Sequence, residues 1–150
     1  MAIINTIKQK ILELDQGTFQ NLCDQILYSL GYSNFVSLGS QSGTQKTTPG
    51  TPDTYCINED NKYVFVEYTT QQTGLCKKIT DDIQKCLNSS ETGIDSKDIS
   101  EIIYFHTSSN LKPAVHKEFC EMCEEKSIVF NMWGCLLYTS DAADDLTRVD

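Results

Sequence analysis

The chain has 150 residues, of which 22% are charged and 39% hydrophobic, and its formal net charge is −9. A chain of this length can bury one core of ordinary size, and its apolar runs are shorter than the ~18 residues that span a bilayer. Together with an N-terminus that lacks a secretory pattern, this predicts a soluble cytoplasmic protein without a membrane segment. The seven scattered cysteines, an odd number, indicate reduced thiols rather than a disulfide framework.

The first part of the chain predicts two amphipathic helices and a long exposed loop. Apolar residues recur at helical spacing in 3–14 and again in 17–30, after which Gly31 is a suitable helix stop. Residues 35–38 are a candidate strand. Residues 39–52 consist largely of Gly, Ser, Thr, Gln and Pro with almost no apolar side chain, so we expect an exposed loop there.

The rest of the chain predicts a β-hairpin followed by alternating helices and strands. The hairpin has strands at 54–57 and 62–69 around a turn at 58–61, because the second strand is rich in β-branched and aromatic residues. The later elements are a helix at 75–87, a strand at 101–106, a helix at 112–126 and a strand at 128–132. This order predicts an α/β sandwich in which helices flank a mixed central sheet.

Two carboxylates of the hairpin form the candidate catalytic constellation. Asp53 precedes the first strand, and Glu67 lies near the end of the second. Neighbouring strands are roughly 5 Å apart, so the two carboxylates can reach one cation. Mg²⁺, or Mn²⁺ in its place, binds such oxygens together with a main-chain carbonyl and water or phosphate. Without further context, the same two residues are compatible with a solvated surface.

Residues 50–71, GTPDTYCINEDNKYVFVEYTTQ, resemble the PD-(D/E)xK nuclease superfamily, which includes the Mrr-like restriction endonucleases. Pro52–Asp53 match the first half of the motif and Glu67–Tyr68–Thr69 the second, within a resemblance that covers roughly 17–134. The resemblance implies a restriction endonuclease-like fold and Mg²⁺-dependent hydrolysis of DNA phosphodiester bonds. It also implies that Asp53, Glu67 and the main-chain carbonyl of Tyr68 are the metal ligands.

The same segment resembles the N-terminal effector nuclease of large bacterial NTPases that act in antiviral defence. This resemblance implies that an NTPase and a sensor region follow in the natural chain. The sequence leaves open whether DNA or RNA is the substrate, and it leaves open the oligomeric state.

One position departs from the motif. The family has Lys two residues after the acidic residue, where it orients or activates the attacking water, and this chain has Thr69. A threonine hydroxyl supplies neither positive charge nor a useful base near neutral pH. The helix after the hairpin offers Lys77 and Lys78, of which Lys78 is favoured, and Lys46 and Gln71 are alternatives for contacting phosphate or water. The missing lysine favours a second hypothesis, a catalytically inactive nuclease-fold module for nucleic-acid binding or assembly.

Three further groups of polar residues have weaker interpretations. Gln20 and Asp24, on the second helix, are candidates for a third polar group at the site. His116 with Cys120 and Cys123 suggests zinc, although ordinary helix-core cysteines are the simpler interpretation. The pair at 81–82, two aspartates, is expected on a solvated helix face.

Residues 135–150 differ in composition from the rest of the chain. Residues 1–134 contain eleven Lys and no Arg, whereas the tail supplies the one Arg and four Asp. The tail resembles the translation of a transposon-type sequencing adapter. That resemblance implies that the nuclease-like domain is 1–134, with a net charge of −6, and that the natural reading frame continues past Gly134.

Overall fold

A computed structural model describes residues 2–37, 52–108 and 111–134. The helices within these ranges are α1 (Ala2–Glu13), α2 (Gln16–Ser29), α3 (Leu75–Leu87), α4 (Ser89–Thr92) and α5 (Pro113–Glu124). The strands are β1 (Val36–Ser37), β2 (Thr54–Ile57), β3 (Tyr63–Thr69), β4 (Ile99–His106) and β5 (Val129–Gly134). A single 3₁₀ turn at Ser96–Asp98 leads into β4.

Local side-chain chemistry sets the ends of α2 and the turn of the hairpin. The Asp15 carboxylate accepts a 2.7 Å hydrogen bond from the Thr18 N–H, which caps the start of α2. Gly31 follows α2 at a φ of +101°, a left-handed conformation that glycine adopts without steric cost. In the turn between β2 and β3, the Asn58 side chain accepts hydrogen bonds from the N–H groups of Asp60 and Lys62.

The strands form one mixed sheet in the order β1–β2–β3–β4–β5. Strands β1, β2 and β3 are antiparallel neighbours, whereas β3, β4 and β5 run parallel. The parallel pairs need crossover connections, and α3 and α5 provide them. Both helices cover the same face, as two successive crossovers of one hand require.

Each face of the sheet has its own apolar core. The α3/α5 face buries Phe65, Leu75, Ile79, Ile83, Cys86, Ile99, Ile102, Tyr104, Phe119, Cys123, Ile128 and Phe130. The α2 face buries Phe19, Cys23, Leu27, Cys56, Val64, Val66, Tyr68, Ile103 and Phe105. Successive residues of β3 and β4 therefore alternate between the two cores, which is the period of a strand buried on both sides.

The predicted mixed α/β architecture is confirmed, and the predicted elements are present with ends shifted by a few residues. The short α4 and the 3₁₀ turn were not predicted, and β4 begins at Ile99 rather than at 101. Pro52, assigned to the exposed loop, is buried. The remainder of that loop, with Leu38, and the tail 135–150 lie outside the described residues. In the part of the chain that the structure describes, no helix is long and apolar enough to cross a membrane.

Candidate active site

Asp53 and Glu67 meet at the open end of the β2–β3 hairpin. Thr54 pairs with Val66 in the antiparallel ladder, and Asp53 and Glu67 lie one residue beyond that pair. The Glu67 side chain is directed to the α3/α5 face, since Val66 and Tyr68 are buried on the other side. The two carboxyl groups share a side-chain hydrogen bond. The main-chain N–H of Tyr68 also donates to Asp53 Oδ2 at 3.3 Å.

The acid pair is held in surroundings that favour its protonated form. Burial, followed by the neighbouring Asp53 carboxylate, raises the pKa of Glu67 well above its ordinary value. Burial also raises the pKa of Asp53, against the opposing effect of its hydrogen bonds to Glu67 and to the Tyr68 N–H. Glu67 is only 6% exposed, whereas Asp53 is partly buried. Burial therefore favours the protonated form more strongly at Glu67, the more deeply buried of the two carboxyl groups.

Two groups of α3 surround the pair. The Cys86 thiol lies 3.3 Å from Glu67 Oε1 and donates to it. Burial and the neighbouring Glu67 raise the pKa of this thiol, so it remains neutral. Asp82 is the second group, and its negative charge contributes to the raised pKa of both Asp53 and Glu67.

The prediction of a solvated face is wrong for Asp82, which is 6% exposed. Its Oδ1 lies 3.2 Å from the Nζ of Lys78, one helical turn away, and its Oδ2 accepts a 2.6 Å hydrogen bond from the Tyr104 hydroxyl. Tyr104 is the β4 residue directly opposite Glu67 in the parallel register. Asp82 therefore connects Lys78 to the strand beside Glu67. Neither Asp82 nor Tyr104 was among the predicted site residues.

Lys78, the favoured replacement for the motif lysine, is close to the acid pair. The positive charge of Lys78 lowers the pKa of Asp53, so its electrostatic effect reaches the acid pair. Its side chain is 39% exposed, so the ammonium group has access to solvent as well as to Asp82.

Tyr68 is held from the opposite face of the sheet. Its main-chain carbonyl, the proposed third ligand, accepts a 3.0 Å hydrogen bond from Gln16 Nε2. Its hydroxyl donates to Asp24 on α2, and Gln20 Nε2 donates to Thr54 Oγ1 at 3.1 Å. Gln20 and Asp24 thus hold the hairpin from the α2 face, away from the Glu67 side chain. Gln16, which was not predicted, is the α2 residue that contacts the site's main chain.

The side chains of Thr69 and Gln71 make their hydrogen bonds away from the acid pair. Thr69 is buried, and its Oγ1 accepts a 3.1 Å hydrogen bond from the Gln71 N–H. The exposed Gln71 side chain donates from Nε2 to the Thr73 carbonyl at 2.6 Å. Lys46 lies outside the described residues.

The α5 cysteines have ordinary helix-core surroundings. Cys123 is fully buried in the core of the α3/α5 face, Cys120 Sγ lies 4.0 Å from the Phe130 carbonyl, and the His116 ring packs on Phe130. Among the described residues, no group of three or more His, Cys, Asp or Glu side chains is arranged to hold a metal. The Asp53–Glu67 pair offers two carboxylates, and a Mg²⁺ site of one or two carboxylates takes its other oxygens from main chain, water and phosphate.

No protein-family model, curated protein or solved structure matches the chain. Its function is therefore inferred from the chemistry of the side chains themselves.

Proposed function

We propose that the chain is a metal-dependent endonuclease domain that hydrolyses DNA phosphodiester bonds with Mg²⁺ or Mn²⁺. The observation that supports this best is the contact between Asp53 and Glu67 on neighbouring strands. Two carboxyl groups in one partly enclosed site repel each other when ionised, and a divalent cation is the usual partner that stabilises both charges. The donor set fits Mg²⁺, with Asp53, Glu67 and the Tyr68 carbonyl as the ligands.

The order of elements also supports a restriction endonuclease-like fold. A helix, a β-hairpin, a second helix and a parallel strand follow one another in α2, β2–β3, α3 and β4, which agrees with the core that the PD-(D/E)xK resemblance implies. The motif residues lie at the open end of that hairpin. Because the same segment also resembles the N-terminal effector nuclease of bacterial antiviral NTPases, we propose that the domain is an effector of bacterial antiviral defence.

Each residue of the site has a separate role in phosphodiester hydrolysis. A bound cation would offset the charge that develops on the scissile phosphate. Lys78 brings a positive charge near Asp53 and has the solvent access to contact a phosphate oxygen. Tyr68 orients Asp53 through its N–H. Lys46 is the alternative phosphate contact.

The test is plasmid and linear-DNA cleavage by the full chain with Mg²⁺, with Mn²⁺ and with EDTA. Asp53→Asn and Glu67→Gln should each lower the rate by about 10³-fold or more, because several kcal/mol of charge stabilisation is lost and each 1.36 kcal/mol is tenfold. Glu59→Gln, at an exposed position of the same hairpin, is the matched control and should cut like the parent. Undiminished cleavage by both site variants would show that the site lies elsewhere.

A second candidate is a nuclease fold that binds nucleic acid without cutting it. Thr69 favours it, because a buried hydroxyl engaged with the Gln71 N–H cannot take the place of a lysine. DNA binding by a parent chain that shows no cleavage with any divalent cation would select this function.

A further inference from the structure

Asp82 is a third carboxylate close to the acid pair, and each of its oxygens already has a partner. Its charge contributes to the raised pKa of Asp53 and of Glu67, so it lies near both. Oδ1 is 3.2 Å from the Lys78 ammonium group, and Oδ2 accepts the 2.6 Å hydrogen bond from Tyr104. A cation would have to compete with a partner at either oxygen. Asp82 is therefore placed to act through its partners rather than as a metal ligand.

The Tyr104 hydroxyl fixes the Asp82 carboxylate from the sheet. Tyr104 is fully buried in the core of the α3/α5 face, and it lies directly opposite Glu67 in the parallel register. Paired residues of neighbouring strands are roughly 5 Å apart. Side chains in a close-packed core occupy defined rotamers, so the position of this hydroxyl is set by the sheet. The location of Asp82 thus depends on β4 as well as on α3.

Lys78 is the flexible member of this group. Ordering a lysine side chain costs up to about 2 kcal/mol of rotamer entropy. The Lys78 side chain is 39% exposed, so packing alone does not fix its ammonium group. The ion pair with a buried, anchored carboxylate restricts where that group lies. An ammonium group has three donors, and contact with Asp82 leaves two for a phosphate oxygen or a water molecule.

Stability alone gives no reason for a third carboxylate at this position. Exposed ion pairs of (i, i+4) spacing contribute only about 0.3–0.5 kcal/mol. Asp82 is instead buried close to two other carboxyl groups, where desolvation and like-charge repulsion both disfavour its ionised form. The arrangement is explained by what the carboxylate does to Lys78.

We propose that Asp82, anchored by Tyr104, is a positioning residue that holds the Lys78 ammonium group at the acid pair, where it replaces the motif lysine. This role rests on the proposed nuclease function. Thr69, at the lysine position of the motif, is buried on β3 and uncharged, so the positive charge has to come from another element. The contacts from Tyr104 to Asp82 and from Asp82 to Lys78 supply it from α3 in a fixed place.

A double-mutant cycle of single-turnover cleavage at saturating DNA tests the role. Asp82→Asn keeps an acceptor for Tyr104 but removes the charge that holds Lys78, and it should slow cleavage about tenfold or more. In the Lys78→Met background the same substitution should change the rate by less than about twofold, because Asp82 acts through Lys78. Slowing by the same factor in both backgrounds would show a merely structural role and overturn the proposal.

DNA affinity separates positioning from a simple effect of charge. Loss of a negative charge near the site should leave DNA binding unchanged or stronger. The expected result for Asp82→Asn is therefore slower cleavage with undiminished DNA affinity. Asp81→Asn, the same change at the neighbouring half-buried aspartate, is the matched control and should cut like the parent. Faster cleavage by Asp82→Asn would show that its charge only opposes the substrate, and the proposal would be wrong.

Carbon relaxation of the lysine Cε–H groups gives a readout that does not depend on turnover. In the parent, the order parameter of Lys78 should exceed that of the exposed Lys77, and the difference should vanish in Asp82→Asn. Tyr104→Phe leaves Asp82 without its anchor and should lower the order parameter of Lys78 in part. Equal order parameters for the two lysines in the parent would refute the positioning role.

The cleavage results distinguish this inference from the nuclease function itself. If Asp82→Asn cuts like the parent while Glu67→Gln is inactive, the domain is a nuclease and the role of Asp82 is refuted. A parent chain that never cuts refutes the nuclease and this role with it. If Asp82→Asn fails to fold, seen as a lost melting transition, two other measurements decide. They are the order parameter of Lys78 in the parent and the cleavage rate of Tyr104→Phe, which should fall only when Lys78 is present.

Discussion

Tyr104 donates a 2.6 Å hydrogen bond to Asp82 from a position directly opposite Glu67 in the parallel register. This contact fixes a carboxylate of α3 on the strand beside the acid pair, and the same carboxylate holds Lys78. Hydrogen bonds to charged groups contribute roughly 1.5–3 kcal/mol each. We expect Tyr104→Phe to lower the free energy of unfolding by about that amount in urea denaturation. Tyr63→Phe, at a half-buried tyrosine of β3, is the control. An equal loss of stability in both variants would show that the hydrogen bond from Tyr104 to Asp82 is not the cause.

The stability of the metal-free protein should fall as the pH rises. The pKa of Glu67 is raised in the folded state, so its contribution is fully present below the unfolded pKa, near 4.5, and is lost as the pH passes through the folded pKa. Asp53, whose pKa is also raised, acts in the same direction. Glu67→Gln keeps a donor for Asp53 without the titrating group. Melting temperatures measured from pH 5 to pH 9 in EDTA should therefore decline less in this variant than in the parent. Parallel curves for the two proteins would show that Glu67 does not cause the decline.

Mg²⁺ should bind more tightly at higher pH. The cation binds ionised carboxylates, and the raised pKa of Glu67 means that protons compete with the cation for this carboxylate. Calorimetric titration in two buffers of different ionisation enthalpy should detect proton release at pH values below the folded pKa of Glu67, and this release should vanish in Glu67→Gln. Binding without proton release in the parent would place the cation elsewhere.

Lys78→Met should slow DNA cleavage more than Lys77→Met does. The ammonium group of Lys78 lies 3.2 Å from Asp82, and its positive charge lowers the pKa of Asp53. Lys77, at the preceding position of the helix, is exposed. A single positioned charge commonly contributes one to two powers of ten, so we expect about a 10–100-fold loss for Lys78→Met and little change for Lys77→Met. Equal rates for the two variants would show that Lys78 has no role in cleavage.

Tyr68→Phe should affect stability more than cleavage. The substitution removes the hydroxyl that donates to Asp24 on the α2 face, and it leaves the N–H and the carbonyl that face the site. We expect a loss of roughly 1.5–3 kcal/mol in the free energy of unfolding. Cleavage measured well below the melting temperature should change by less than about tenfold, which is 1.36 kcal/mol. A much larger loss of activity would mean that the phenol itself acts in the site.

The arrangement of strands and helices was largely predictable because each element has a clear local pattern. The β-branched and aromatic run of β3 and the 3.6-residue spacing in α3 each bury apolar side chains, and these patterns need no knowledge of the partner element. The same spacing in α3 that buries Ile79, Ile83 and Cys86 also places Asp82 inward. Its charge led to the prediction of a solvated position. A carboxylate on an apolar stripe was the signal that could have identified it.

The rest of the site depends on contacts that a linear sequence does not show. Tyr104 reaches Asp82 from 22 residues away, and Gln16 reaches the Tyr68 carbonyl from 52 residues away. These contacts form because α2 and α3 pack on opposite faces of the sheet. The pairing of Thr69 with His106 likewise follows from the parallel register of β3 and β4, which only the assembled sheet defines.

The location of the acid pair within one hairpin also has a consequence for folding kinetics. Asp53 and the main-chain N–H that it contacts are 15 residues apart, whereas β3 reaches β4 only after α3 has formed the crossover. Short loops close at a lower entropic cost than long ones, so the hairpin is expected to form early. Its ionised carboxylates then repel each other before any helix has covered them. Refolding in EDTA should therefore slow as the pH rises, and Mg²⁺ should restore the rate.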